Sequence, residues 1–154
     1  MPILALLVIS AGAQTSPQEP PKQPISFSHK THADAKMECK TCHSNPDPGE
    51  VMGIERPSAC MSCHKEVKHE SPAIQKLAGF VKKDEIKWAR VYLLPSFVRF
   101  SHRVHTEAGY NCEECHGPVA TRDLLARERD ISQVGCVACH RAAKAGLGCT
   151  FCHE

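Results

Sequence analysis

The sequence predicts a mostly α-helical chain with extensive irregular loops and little β structure, one that cannot make its core from its own apolar side chains. Three observations lead there. Aromatic residues are only 5 % of the 154, so the chain has little to bury, and thin cores need staples or cofactors. All ten cysteines fall in one repeated pattern, Cys-x-x-Cys-His, at Cys39/Cys42/His43, Cys60/Cys63/His64, Cys112/Cys115/His116, Cys136/Cys139/His140 and Cys149/Cys152/His153. The helix signals between them are short and interrupted by proline and glycine.

From the N-terminus, residues 3–9 are an apolar run followed by Ala11-Gly12-Ala13, which fits a leader of residues 1–13 with a small-x-small cleavage pattern. The run lacks a basic start and is far short of the roughly 20 residues that span a bilayer. Residues 14–24 are rich in Pro and Gln and read as an extended, poorly ordered lead-in. A first module, residues 25–69, opens with Phe27-Ser28-His29-Lys30-Thr31-His32, whose two histidines are three apart and share one face of a helical turn. Between its Cys-x-x-Cys-His units, Pro46, Pro48, Gly49, Gly53 and Pro57 argue for a turn-rich loop. His69 is expected on a short helix continuing from His64.

Residues 70–99 connect. Ser71-Pro72 marks a helix start, with residues 73–80 as a turn or two of helix and Gly79 as its stop. Residues 88–100 are aromatic and β-branched, which predicts an extended segment; Pro95 excludes a central strand. Its expected role is packing between the modules. A second module, residues 100–154, repeats the opening as Phe100-Ser101-His102-Arg103-Val104-His105. Residues 121–130 carry a capping threonine, an early acid and good helix formers, and are expected to be helical. The last two units are separated by eight residues (141–148) ending Gly146-Leu147-Gly148, so whatever they hold must lie close together.

Cys-x-x-Cys-His is the pattern for covalent attachment of c-type haem, the cysteines bonding the porphyrin edge and the histidine taking one axial face of the iron. Zinc ribbons would use such units in pairs, and five leave one over. A thioredoxin-like dithiol wants a βαβ setting, which is absent. Five haems then need five further axial ligands. Of ten histidines, five are anchors, which leaves His29, His32, His69, His102 and His105. Methionine is the rival ligand, but Met37, Met52 and Met61 do not recur between modules.

Lys and Arg (19) nearly balance Asp and Glu (17) without a cationic run, which excludes a nucleic-acid surface. Haem propionates would make the formal +2 acidic. No further segment is long and apolar enough for a membrane span, and haem c is attached outside the cytoplasm, so a periplasmic or otherwise extracytoplasmic protein is expected.

The succession Phe-x-His-x-x-His and Cys-x-x-Cys-His over residues 25–154 resembles the class III multihaem cytochromes c, the cytochrome c3 and c7 group. That resemblance implies that the first histidine of a pair ligates the haem of the next motif and the second a later one: His29 with His43, His32 with His64, His102 with His116, and His105 with His140. The family's further histidine is missing between His116 and Cys136, which leaves His69 for the haem of His153. Residues 88–152, with Leu94-Pro95, Phe100-Ser101-His102 and Cys115-His116-Gly117-Pro118, also resemble the pentahaem subunit of alternative complex III. The expected function is electron transfer to and from protein redox partners by five bis-histidine haems at low potential. The alternatives are a subunit of a quinol-oxidising complex or of a cytochrome filament, or a multihaem reductase with one open haem.

Overall fold

The computed structural model describes residues 19–44 and 52–153. The leader of residues 1–13, residues 14–18 of the lead-in and residues 45–51 of the first loop lie outside the described residues. The chain is mostly helical, with eight short α-helices among the described residues: α1 (His29–Asp34), α2 (Cys39–Cys42), α3 (Pro57–His64), α4 (Pro72–Phe80), α5 (His102–Glu107), α6 (Cys112–His116), α7 (Gln133–Ala142) and α8 (Cys149–Cys152). A single 3-10 turn, Val119–Thr121, follows α6. Pairing of β type is confined, among the described residues, to one antiparallel bridge between Val98 and His153.

Helices this short are marginal alone, and local chemistry starts most of them. Ser28, Ser71, Ser101 and Ser132 are N-caps whose hydroxyls accept from Thr31, Ile74, Val104 and Gly135 N–H. Asn111 and Glu114 form a reciprocal capping box at α6. Pro57 and Pro72 occupy first helical turns, where their missing N–H costs nothing.

The apolar core is as small as the composition predicts. Ile25 and Leu77 are its buried hydrophobic residues, and Pro57 is fully buried too, whereas Val134 and Phe151 remain 75 % and 69 % exposed. Both of these exposed residues belong to the last two motif helices. α1 packs on the 3-10 turn and α3 on α4, so the first histidine pair is docked against the segment just after the third motif. Lys30 N–H donates to Arg122 O (3.0 Å) and Ser28 Oγ to the Asp123 carboxylate (2.6 Å) across the same contact.

Two local expectations fail. Residues 121–130 are not helical beyond Thr121. Their backbone and side chains are taken by tertiary partners instead: Arg122 O by Lys30 N–H, and Glu128 N–H by the Tyr92 hydroxyl (3.1 Å). Arg122 then holds the Glu128 carboxylate from two nitrogens, at 2.6 and 2.8 Å. Tertiary bonding overrides propensity here. His69 is not on a helix either. α3 ends at His64, Val67 O accepts from the His64 ring, and Lys68 turns left-handed at φ 52°. Elsewhere α4 starts as expected but runs through Gly79 to Phe80, and α3 extends into the end of the loop expected over residues 44–59. Residues 88–100 form no regular strand, with the Val98 bridge as their single paired position.

Candidate haem-binding sites

Each Cys-x-x-Cys lies on a helical turn, on α2, α3, α6, α7 and α8, so its two thiols are one turn apart on one side. All ten cysteines are free thiols rather than disulfides. In the first, second and fifth motifs one thiol is half-buried and its mate exposed: Cys42 with Cys39, Cys60 with Cys63, and Cys152 with Cys149. In the third and fourth, Cys112, Cys115, Cys136 and Cys139 are all exposed. Cys63 is the thiol at the C-terminal end of α3. Its Sγ lies 3.8 Å from Ser62 Oγ, and its carbonyl accepts from Val67 N–H at 2.9 Å, so the turn after the motif closes on its backbone and leaves the sulfur open. Among the described residues, no three His, Cys, Asp or Glu side chains converge as ligands of a bare metal ion.

The histidines meet in twos. His29 faces His43 at 6.4 Å between ring centres with the rings 3° from parallel, and His102 faces His116 at 6.3 Å and 5°. His32 lies 6.0 Å from His64 at 69°, and His105 lies 6.0 Å from His140 at 46°. Two imidazole–metal bonds of about 2 Å each, plus the distance from each ligating nitrogen to its ring centre, add to about 6 Å. Each facing pair would thus have room to hold one iron between its two Nε2 atoms.

The tautomers also suit ligation. His32 Nδ1 contacts Ser28 O (2.8 Å), His43 Nδ1 Gly53 O (2.9 Å), His64 Nδ1 Val67 O (3.0 Å), His105 Nδ1 Ser101 O (2.8 Å) and His140 Nδ1 Gly146 O (2.9 Å). A carbonyl can only accept, so Nδ1 carries the proton and Nε2 presents its lone pair. Backbone carbonyls behind ligating imidazoles are the usual orienting shell of a metal site. His29 differs, because its buried Nδ1 has no hydrogen-bond partner. Burial, then the nearby His43 and His32, push His29 down to about 4, which keeps it neutral and competent to ligate at pH 7.

The Phe-Ser-His-x-x-His repeat now has a physical explanation that its histidines alone do not supply. The serine caps the helix. The phenylalanine just before it stacks on the second histidine, Phe27 on His32 at 4.5 Å and Phe100 on His105 at 4.7 Å, in the manner of a hydrophobic staple between N′ and N4. The first histidine meets the same phenylalanine edge-on, at 4.8 and 4.7 Å. One aromatic ring thus aims two imidazoles in different directions. Sequence reasoning took the histidines and missed the cap and staple, though Phe-Ser ahead of both pairs is their signature.

Tyr92 is a second residue not anticipated individually. Its hydroxyl donates to His116 O (3.1 Å) and accepts from Glu128 N–H, and its ring stands edge-on to His116 at 4.6 Å. Trp88 lies 6.1 Å from Phe27, so residues 88–100 touch both modules.

The motifs follow one another in space in an order that is not their order in sequence. Burial and then nearby Cys42 push the Cys60 thiol up, which makes the first and second motifs neighbours. Burial and then nearby Cys39 raise Cys112. His116 is lowered by burial, then by His102 and His43, so the first motif also adjoins the third. Burial and then Cys139 and Cys136 raise Cys115, and burial and then Cys152 raise Cys136, linking third to fourth and fourth to fifth. Glycine at position 146 lets the short link between the last two close, because a Cβ there would come 3.0 Å from the Phe151 ring.

Among the described residues, no ring contact joins His69 and His153. His69 Nδ1 donates to Glu66 O (3.2 Å), and its Nε2 lies 3.7 Å from the Glu70 carboxylate. The His153 ring lies 5.9 Å from Phe97, at 30°.

Short helices bearing cysteine pairs, imidazoles facing across a metal-sized gap and a core too small to stand alone define a multihaem c-type cytochrome. The comparisons agree. Residues 6–87 match the Class III cytochrome C family, and residues 98–154 match cytochrome c7 and related cytochrome c. Over 162 residues the chain is 41 % identical to the menaquinone reductase, multiheme cytochrome c subunit, of Nitratidesulfovibrio vulgaris, covering 86 % of this chain and 77 % of that protein. The chain belongs to the class III multihaem cytochromes c, which are electron carriers with covalently bound haem. No helix among the described residues is long and apolar enough to cross a membrane.

Proposed function

We propose that the chain is an extracytoplasmic electron-transfer protein that binds five haems c, one at each Cys-x-x-Cys-His unit. The observation that carries this reading is the set of four facing imidazole pairs at 6.0–6.4 Å. On it, His29 with His43, His32 with His64, His102 with His116 and His105 with His140 would hold four of the haem irons. When bound, the haems supply one-electron couples, which imidazole ligation on both faces sets low. The protein's part is to keep Nε2 of His32, His43, His64, His105 and His140 deprotonated through their Nδ1–H bonds, to hold the first and second histidines of each repeat with Phe27 or Phe100, and to fill the space between modules with residues 88–100. The spatial succession of motifs, second, first, third, fourth, fifth, makes the His64 and His153 units the two ends of a series. The test is haem content: alkaline pyridine spectra and intact mass should give five haems per chain, and Cys136→Ala/Cys139→Ala should give four. Five-motif protein carrying fewer haems would sink the reading.

The relative's name favours a particular setting. It is a subunit of a menaquinone reductase, so we place this chain in a quinone-linked redox complex in which protein partners exchange electrons with the series. The relative's complex is named for reducing a quinone, the reverse of the quinol oxidation in the alternative complex III likeness. Isolation of the tagged chain from its native cells should bring down further redox subunits; recovery as a monomer alone would exclude this setting.

A further inference from the structure

We propose that the haem of Cys149, Cys152 and His153 receives no imidazole from this chain and is a binding site for a small exogenous iron ligand of the carbon monoxide or cyanide class. The inference rests on the haem reading above and concerns the one unit that reading leaves without a facing ring.

All ten histidines lie among the described residues, and eight are consumed in the four pairs. His69 is the arithmetic partner for His153, but its surroundings place it elsewhere. It belongs to the turns just after the second motif, three residues from Glu66, whose carbonyl fixes its Nδ1. The nitrogen that would have to ligate, Nε2, is turned toward the Glu70 carboxylate, and the side chain is 61 % exposed.

His153 is itself firmly placed. Its N–H donates to Cys149 O (2.9 Å), Arg99 N–H donates to Cys152 O (2.8 Å), and Val98 pairs with it through the antiparallel bridge. These bonds hold the last motif against residues 97–99. The aromatic ring near its imidazole is Phe97, at 5.9 Å, and a phenyl ring has no lone pair to offer iron. Of the methionines named as rivals, Met61 lies on α3 within the second motif, Met37 follows α1, and Met52 precedes α3. Phe97, Leu147 and Phe151 are half or more exposed, so this end of the series is apolar and open to a small diatomic ligand.

The experiment uses the purified full-length holoprotein. Haem content and intact mass come first, because a missing haem at Cys149/Cys152 sinks the five-haem reading itself. With five haems present, the oxidised protein should show one high-spin haem in five by electron paramagnetic resonance, and the dithionite-reduced protein should bind one carbon monoxide per chain. His69→Ala should leave both signals unchanged. His105→Ala should double them, which calibrates the assay. An entirely low-spin wild type that binds no carbon monoxide overturns the inference. So does a high-spin signal that appears or doubles in His69→Ala.

Discussion

The imidazoles of His102 and His116 stand 5° from parallel with their centres 6.3 Å apart. They come from two helices joined by a turn: α5, capped by Ser101, and α6, capped by Asn111. His29 and His43 repeat the arrangement at 3° and 6.4 Å. The first histidine of each pair is thus set by its helix start, and its partner by the C-terminal end of a Cys-x-x-Cys turn.

His102→Ala is expected to convert one haem from low-spin to high-spin, while His102→Met should keep it low-spin and raise its potential, because a thioether stabilises the reduced iron relative to imidazole. Potentiometric titration followed in the visible bands checks this. An unchanged set of midpoint potentials in His102→Met would remove His102 from the ligand set.

Ser101→Ala removes the hydroxyl that accepts from Val104 N–H at 3.4 Å. The expected loss is about 1 kcal/mol, read as a lower thermal midpoint, with Ser101→Asp restoring it. The His105 haem should be unaffected, since the 2.8 Å bond that fixes the His105 tautomer is accepted by the backbone carbonyl of residue 101, which the variant keeps.

Tyr92→Phe keeps the edge-on ring but leaves His116 O and Glu128 N–H without their shared hydroxyl. Its expected cost is about 1–3 kcal/mol, measured by denaturation of the holoprotein, with haem content unchanged.

Glu128 and Arg122 set an acid dependence. The hydrogen bonds from Arg122 hold the Glu128 carboxyl below its ordinary value of 4.5. A carboxylate depressed in the folded state contributes stability that is complete above its unfolded value and is lost as pH falls through the folded one. Wild type should therefore be more stable than Glu128→Gln at neutral pH, with the gap closing below pH 4.5. Urea denaturation of both proteins at several pH values reads the difference; a gap that widens in acid would contradict it.

Much of the chemistry was legible in the chain because it is local. Two cysteines three apart and a following histidine need only one helical turn, and Phe-Ser-His-x-x-His carries its cap and staple within six residues. The helix beginning at Ser71 was legible for the same reason. Residues 121–130 were not, since their helix signals lose to bonds from Lys30 and Tyr92, 92 and 36 positions away in sequence for Arg122 and Glu128.

By itself the sequence determined the attachment pattern, the two histidine clamps and a core too poor to fold without bound groups, all properties of short spacing and composition. The tertiary structure alone decided that the first motif lies beside the third, and that the His69 ring lies against Glu66 O and the Glu70 carboxylate. Those outcomes depend on how α1 docks on the turn after α6, a contact between segments some 90 residues apart. No local propensity encodes such a contact, because its free energy exists only when both segments are already folded and in place.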